Sequence, residues 1–269
     1  MDTQLVQLDR DHPGFRDLQY RARRDAIARI ALGHRPGTPV PEAPYTDEED
    51  EVWRTILEIL EPLHAELVCS ELNEVQAIMA LDRHKIPQLQ AVNDILRPAT
   101  GFAMEPAPGL ATPRSFLELL ADGTFLSTQY IRHYSRPLYT PEPDVVHELV
   151  GHAASLLHPD IVALSLAFGR AAKGADEAAI LRLIQTYWYT LEFGAVEEDG
   201  EVKAYGAGLL SSAGELARFL TEAELRPWDL ERIAETPFDP TDYQPQLYVV
   251  PSFEQMVTDL SDWLEAMCA

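Results

Sequence analysis

The stretch Thr140–His152, TPEPDVVHELVGH, decides how the chain is read. Two histidines, His147 and His152, stand five residues apart, with Asp144 and Glu148 close by. Pro141 and Pro143 end whatever precedes them, and Asp144 is placed to cap a helix carrying the first histidine. Side chains on an α-helix advance about 100° per residue, so partners at i and i+4 stand about 40° apart and partners at i and i+5 about 140° apart. The spacing therefore differs from the zinc-protease pattern HExxH. Both imidazoles reach one ion only if the helix loosens or ends between them, and Gly151 is the residue expected to allow that. Two imidazoles plus one carboxylate from elsewhere would make a facial triad with open positions, the ligand set of non-heme Fe(II) oxygenases. Spacing leaves open the alternative of two surface or capping histidines on an ordinary helix.

The rest of the chain sets limits on the chemistry. Its 269 residues suffice for one large domain with a sizeable core. Formal net charge is −23, which makes nucleic acid and anionic membranes poor partners. No apolar run reaches the roughly 18 residues of a membrane span. The start, MDTQLVQLDRDHPGF, has no basic region followed by an apolar one, so no export signal is expected. Two cysteines, Cys69 and Cys268, suit a reducing cytoplasm and exclude a disulfide framework.

Periodicity predicts helices over 16–31, Asp47 to about Val68, 73–81, 87–96, 115–121, 160–172, 176–193, 211–220 and 253–267. The second of these should bury Val52, Ile56, Ile59, Leu60 and Leu63. Residues 101–114, GFAMEPAPGLATPR, read as a loop, and 124–131 as a strand. Asp199-Gly200 centres the clearest hairpin signal, over 197–203. No repeat or linker divides the chain, which reads as a single, mostly α domain, 1–269, with short β-hairpins.

A third ligand must come from 44 acids. Glu148 adjoins His147 and would point away from its neighbour's ion. Glu192 is the stronger candidate, because Ile184, Trp188 and Glu192 form one i+4 stripe, and a carboxylate beside a tryptophan is costly to bury unpaired. An exposed acid at a helix end remains the alternative.

The stretches YIRHYSRPLYTPEPDVVHELVGH, TYWYTLEFG and KAYGAGLLSSAGEL, with HPGFRDLQYRARR before and DYQPQLYVVPSF after them, resemble the pterin-dependent aromatic amino acid hydroxylases. The resemblance runs from about Asp11 to Leu264, and the phenylalanine-hydroxylating members are the most similar. It implies the catalytic domain alone, without the regulatory domain or tetramerisation helix of the animal enzymes, and a monomer. It implies His147, His152 and Glu192 as ligands of Fe(II), with Glu148 beside the pterin through water. A tetrahydropterin would lie against Leu110, Ala111 and Phe116, with Tyr187 on its far side. Arg132 would pair with the amino acid carboxylate. Thr140, Pro141, Trp188, Phe193, Gly208, Ser211 and Ser212 would form the amino acid pocket, with Ser211 also orienting His147.

The implied reaction is ring hydroxylation of an aromatic amino acid by dioxygen, phenylalanine to tyrosine being favoured. Meta-hydroxylation and tyrosine or tryptophan hydroxylation are the alternatives within the family. A zinc hydrolase or a non-catalytic metal-stabilised amino acid binder are those outside it. Three positions depart from the family pattern. Pro113 replaces a serine of the pterin loop, Leu126 replaces a histidine near the pterin, and Pro240 matches neither the phenylalanine nor the tyrosine enzymes.

Overall fold

The computed structural model describes residues 8, 10, 12–138, 140 and 142–268. Helices dominate it, and their positions follow from capping and apolar spacing. Thr46 and Glu49 form a capping box at the start of the helix Asp47–Leu67, whose first turn carries four acids that suit the positive end of its dipole. Val52, Trp53, Ile56 and Leu60 are its buried stripe, whereas Ile59 is 36% exposed and lies outside it. Helices Leu18–Gly33, Ser70–Met79, Leu89–Thr100, Pro113–Leu120, Pro159–Ala172 and Phe253–Met267 lie within a few residues of their expected ranges. Their apolar faces share one core, with Trp53, Leu72, Leu96, Phe102, Phe168 and Leu183 fully enclosed.

Several features were not read in advance. Ala103–Pro106, expected as loop, is a strand (β1) that pairs in parallel with β2, Thr124–Ser127. Its register is fixed from the side by Asn93, whose amide accepts from Met104 N–H at 2.7 Å and donates to Met104 O at 2.8 Å. The expected helix 211–220 is three short pieces, Ala207–Ser211, Ala213–Leu216 and Phe219–Glu222. Ser212 is extended there, and a Cβ on Gly214 would sit 2.3 Å from Tyr243 Oη, so that loop and helix could not both stay in place.

The hairpin is present as β3, Ala195–Glu198, and β4, Glu201–Ala204. Asp199 and Gly200 both have positive φ, 53° and 82°, as a type I′ turn requires. Beyond it the pairing is parallel. β5, Glu224–Pro227, and β6, Gln246–Val250, extend the hairpin into a four-stranded sheet in the order β4-β3-β6-β5. In Pro113–Leu120, Pro113 occupies the first turn, where no N–H is needed, and Thr112 caps it. Ala207–Ser211 packs against both segments that carry the candidate ligands, 147–153 and 188–192.

Candidate metal centre and substrate cavity

The loosening that the histidine spacing demands is a π-helical turn. Asp144 opens the segment as expected, its Oδ1 accepting from His147 N–H at 3.2 Å and its backbone carbonyl from Glu148 N–H at 3.0 Å. From His147 to Ala153 the chain is π-helical, and i→i+5 bonding places residues five apart one above the other. Leu156 N–H then donates to His152 O, so ordinary α-helical bonding resumes at once. Gly151 has a different role from the one expected. A Cβ there would lie 2.6 Å from Ala207 O, so glycine is needed for the close approach of Ala207–Ser211, not for backbone freedom.

A second π turn carries the carboxylate. The helix Glu177–Tyr187 ends in Trp188–Glu192, where Phe193 N–H donates to Trp188 O at 2.8 Å. Gly206 permits this ending, since a Cβ on it would stand 2.4 Å from Glu192 O.

The two turns bring three ligand atoms together. His152 Nε2 is 3.0 Å from His147 Nε2 and 3.1 Å from Glu192 Oε1, and His147 Nε2 is 3.5 Å from Glu192 Oε1. Ligands about 2.1 Å from one ion stand about 3.0 Å apart at right angles and about 3.4 Å apart at tetrahedral angles, so all three atoms are within reach of a single ion. The donor set fits the iron that the sequence implies. The second oxygen of Glu192 is buried without a partner, as a carboxylate waiting for a cation would be. Ser211 Oγ donates to Ala207 O at 2.8 Å and so accepts from His147 Nδ1–H at 3.0 Å, which leaves the Nε2 lone pair facing the centre.

Glu148 also lies near both histidines, the three ligand atoms all within 4.8 Å of one another, but its carboxylate is otherwise engaged. Its Oε1 is already held by Thr128, from N–H at 3.1 Å and from Oγ1–H at 3.0 Å. Burial pushes the Glu148 carboxyl up to about 7. At Glu192 burial also opposes the charge, but the two imidazoles prevail and hold the carboxyl well below the usual range. Burial lowers His152, whereas at His147 the attraction of Glu192 outweighs burial and raises it to about 8.

A cavity of about 280 Å³ opens beside these atoms. Leu110, Arg132, Thr140, Trp188, Phe193, Gly208, Ser211 and Ser212, all anticipated, line it with His147 and Glu192. Pro141 lies outside the described residues. Ala111 is exposed and, like Phe116, Glu148 and Tyr187, is not part of this wall. Phe116 and Tyr187 are in direct contact with each other. The two rings meet edge to face at 5.2 Å and form one wall, continued by Phe125 against His152 at 4.4 Å.

Arg132 is engaged more deeply than expected. Its Nε and Nη2 grip the fully buried Asp144 at 2.9 and 2.7 Å, leaving Nη1 with only a 3.4 Å contact to Pro137 O. Asp144 was read only as a cap. Burial alone would raise its carboxyl, and Arg132 instead holds it below its ordinary value.

Pro240, one of the departures from the family pattern, also lines the cavity; His12, Glu142, Pro143, Glu215, Thr241 and Asp242 complete it and went unnoticed as site residues, although Glu215 in LSSAGEL is an acid in an apolar run. Glu215 is 6% exposed, and burial, with the Asp242 charge adding, pushes its carboxyl up to about 7 despite a hydrogen bond from Gln244 N–H. The folded state thus holds this proton more tightly than the unfolded one. The associated stability is complete below about pH 4.5 and is lost as pH rises through about 7. Glu215→Gln should therefore be more stable than wild type at pH 8, by at most on the order of 3 kcal/mol, with no difference near pH 4. Urea midpoints at the two pH values check this, and a gap independent of pH would contradict it.

Residues 2–268 match the family described as biopterin-dependent aromatic amino acid hydroxylase. The tyrosine 3-monooxygenase of Drosophila melanogaster is 41% identical over 265 residues, 97% of this chain and 46% of that protein. The chloroplastic phenylalanine 4-monooxygenase of Pinus taeda is 48% identical over 209 residues, 78% of this chain and 59% of that protein. The chain thus spans about half the length of these relatives. The phenylalanine hydroxylase of Chromobacterium violaceum, solved with iron(III) and 7,8-dihydrobiopterin, superposes with a TM-score of 0.79 at 29% identity, covering 89% of this chain and 90% of that one.

Proposed function

The chain belongs to the biopterin-dependent aromatic amino acid hydroxylases, and from that premise we propose that it hydroxylates the ring of phenylalanine at the para carbon, giving tyrosine. The observation that carries this reading is the triangle of ligand atoms formed by His147, His152 and Glu192, set against a cavity walled by Trp188 and Phe193. Iron and a tetrahydropterin, when bound, supply the site of dioxygen reduction and two of the four electrons it needs; the ring supplies the other two.

The chain's own residues do the positioning. His147, His152 and Glu192 hold the metal, and Ser211 keeps His147 in the tautomer that can bind it. Arg132, through Nη1, takes the substrate carboxylate, with Thr140, Ser211 and Ser212 beside it. Trp188, stacked on Phe238 at 4.1 Å, and Phe193 hold the ring toward the metal and keep water from it. Leu110 and the wall of Phe116 and Tyr187 border the space for the pterin, and Glu148, held by Thr128, reaches it through water. Dioxygen is the co-substrate. The reading includes one domain over 1–269, a monomer, a cytoplasmic setting and no nucleic acid or membrane partner. The charge of −23 and two unpaired cysteines support it. Among the described residues no helix is long and apolar enough to cross a membrane.

Incubation with phenylalanine, tyrosine or tryptophan, with products resolved by regioisomer, tests this directly. Tyrosine formed from phenylalanine should predominate and should require a tetrahydropterin. Trp188→Phe should raise relative activity on tryptophan by enlarging the ring wall. Product formation driven by 2-oxoglutarate, or a wild-type preference for tryptophan, would refute the reading.

A further inference from the structure

Gln244 is 5% exposed, does not line the cavity, and turns its side-chain amide and backbone N–H toward segments that do. Its Oε1 accepts from the Trp188 indole N–H at 2.9 Å. Its Nε2 donates to Asp239 O at 2.9 Å and Asp242 O at 3.0 Å, and its backbone N–H donates to Glu215 at 2.7 Å. The amide can stand only one way, because exchanging O and N would oppose two donors at the indole and acceptors at two carbonyls. The indole also packs on the near-parallel face of Phe238, at 4.1 Å and 10°, and on Phe193 at 4.8 Å.

Resting on the hydroxylase reading, we propose that Gln244 is the positioning residue for ring selectivity: its amide couples the Trp188 indole to the 239–242 loop, so that both walls of the ring pocket keep one spacing. Pro240, Thr241, Asp242 and Trp188 all line the cavity, and the Gln244 side chain hydrogen-bonds both to the indole and to the loop that carries the other three. Gln244 acts through Trp188 and touches no reacting atom. The ligand class it favours is an amino acid with a single aromatic ring.

Gln244→Met keeps the bulk and the backbone bond to Glu215 but removes all three side-chain bonds. The two walls then separate, and the tryptophan-to-phenylalanine ratio of kcat/KM should rise about tenfold, the equivalent of one hydrogen bond of ordinary worth. KM for phenylalanine should rise while KM for the pterin stays within about twofold, a split that mere loss of stability would not give. In a Trp188→Phe background, which lacks the indole N–H, the same change should shift the ratio much less. Gln244→Glu retains the acceptor for the indole and loses the donors to the loop. If thermal unfolding shows that Gln244→Met does not fold, the glutamate variant, expected to shift the ratio in the same direction, carries the test. Calorimetric binding of the three amino acids to each iron-loaded variant provides a readout without turnover. A wild type that binds them but never hydroxylates defeats the hydroxylase reading alone. An unchanged ratio, equal shifts in both KM values, or an undiminished effect in the Trp188→Phe background overturns the role of Gln244.

Discussion

Glu192→Gln should lose its iron and more than about 100-fold of its turnover, since even an outer partner of a metal ligand can cost that much. The fold should survive. The Glu192 side chain is 12% exposed and its charge is held by the two imidazoles, so a neutral amide of the same shape gives up that attraction but keeps the packing of the site. Metal content by mass spectrometry, unfolding temperature of the stripped protein and tyrosine formation together read the outcome. His147→Ala and His152→Ala should behave alike, and Glu148→Gln should keep its iron because Thr128 already holds that carboxylate. If Glu192→Gln retains one iron and full activity while Glu148→Gln loses both, the ligand assignment is wrong.

Arg132→Ala should harm the protein twice. Asp144 is fully buried and would keep its charge without the guanidinium, which costs about 3–5 kcal/mol of stability. Separately, KM for the amino acid should rise at least tenfold while KM for the pterin changes little, because breaking a desolvated charge pair costs about 2–5 kcal/mol. The double variant R132A/D144N separates the effects. Removing the orphaned charge should restore part of the denaturant midpoint without restoring the amino acid KM. Recovery of both would show that Arg132 supports the fold and does not meet the substrate.

Much of this was legible because it depends on local signals. Capping residues and apolar spacing located most helices, and Asp199-Gly200 located the hairpin. The histidine spacing alone showed that an ordinary α-helix could not serve. What remained hidden depends on contacts across the chain. β1 is completed by Asn93 from another element, and β6 pairs in parallel with strands distant in sequence. Near the break after Ser211, Gly214 N–H turns to Leu138 O, a partner far away in sequence. Gly151 looked like a hinge, when only the packed neighbour at Ala207 reveals its reason. Likewise Asp144 carried a sound local role as a cap, which masked its larger one as the counter-charge of Arg132.

The π turns at 147–153 and 188–192 each hold one residue more per turn than an α-helix would. Losing a single residue between His147 and His152 would let the local backbone relax into regular helical bonding, at the expense of the buried contacts these residues make, the seat of Gly151 against Ala207 among them. It would also reset the histidines to i and i+4 and turn the downstream chain relative to Ala207–Ser211. What evolution must guard here is therefore segment length as much as residue identity. Any alignment that opens a gap at this point compares proteins whose sites are no longer equivalent, however well their histidines appear to match.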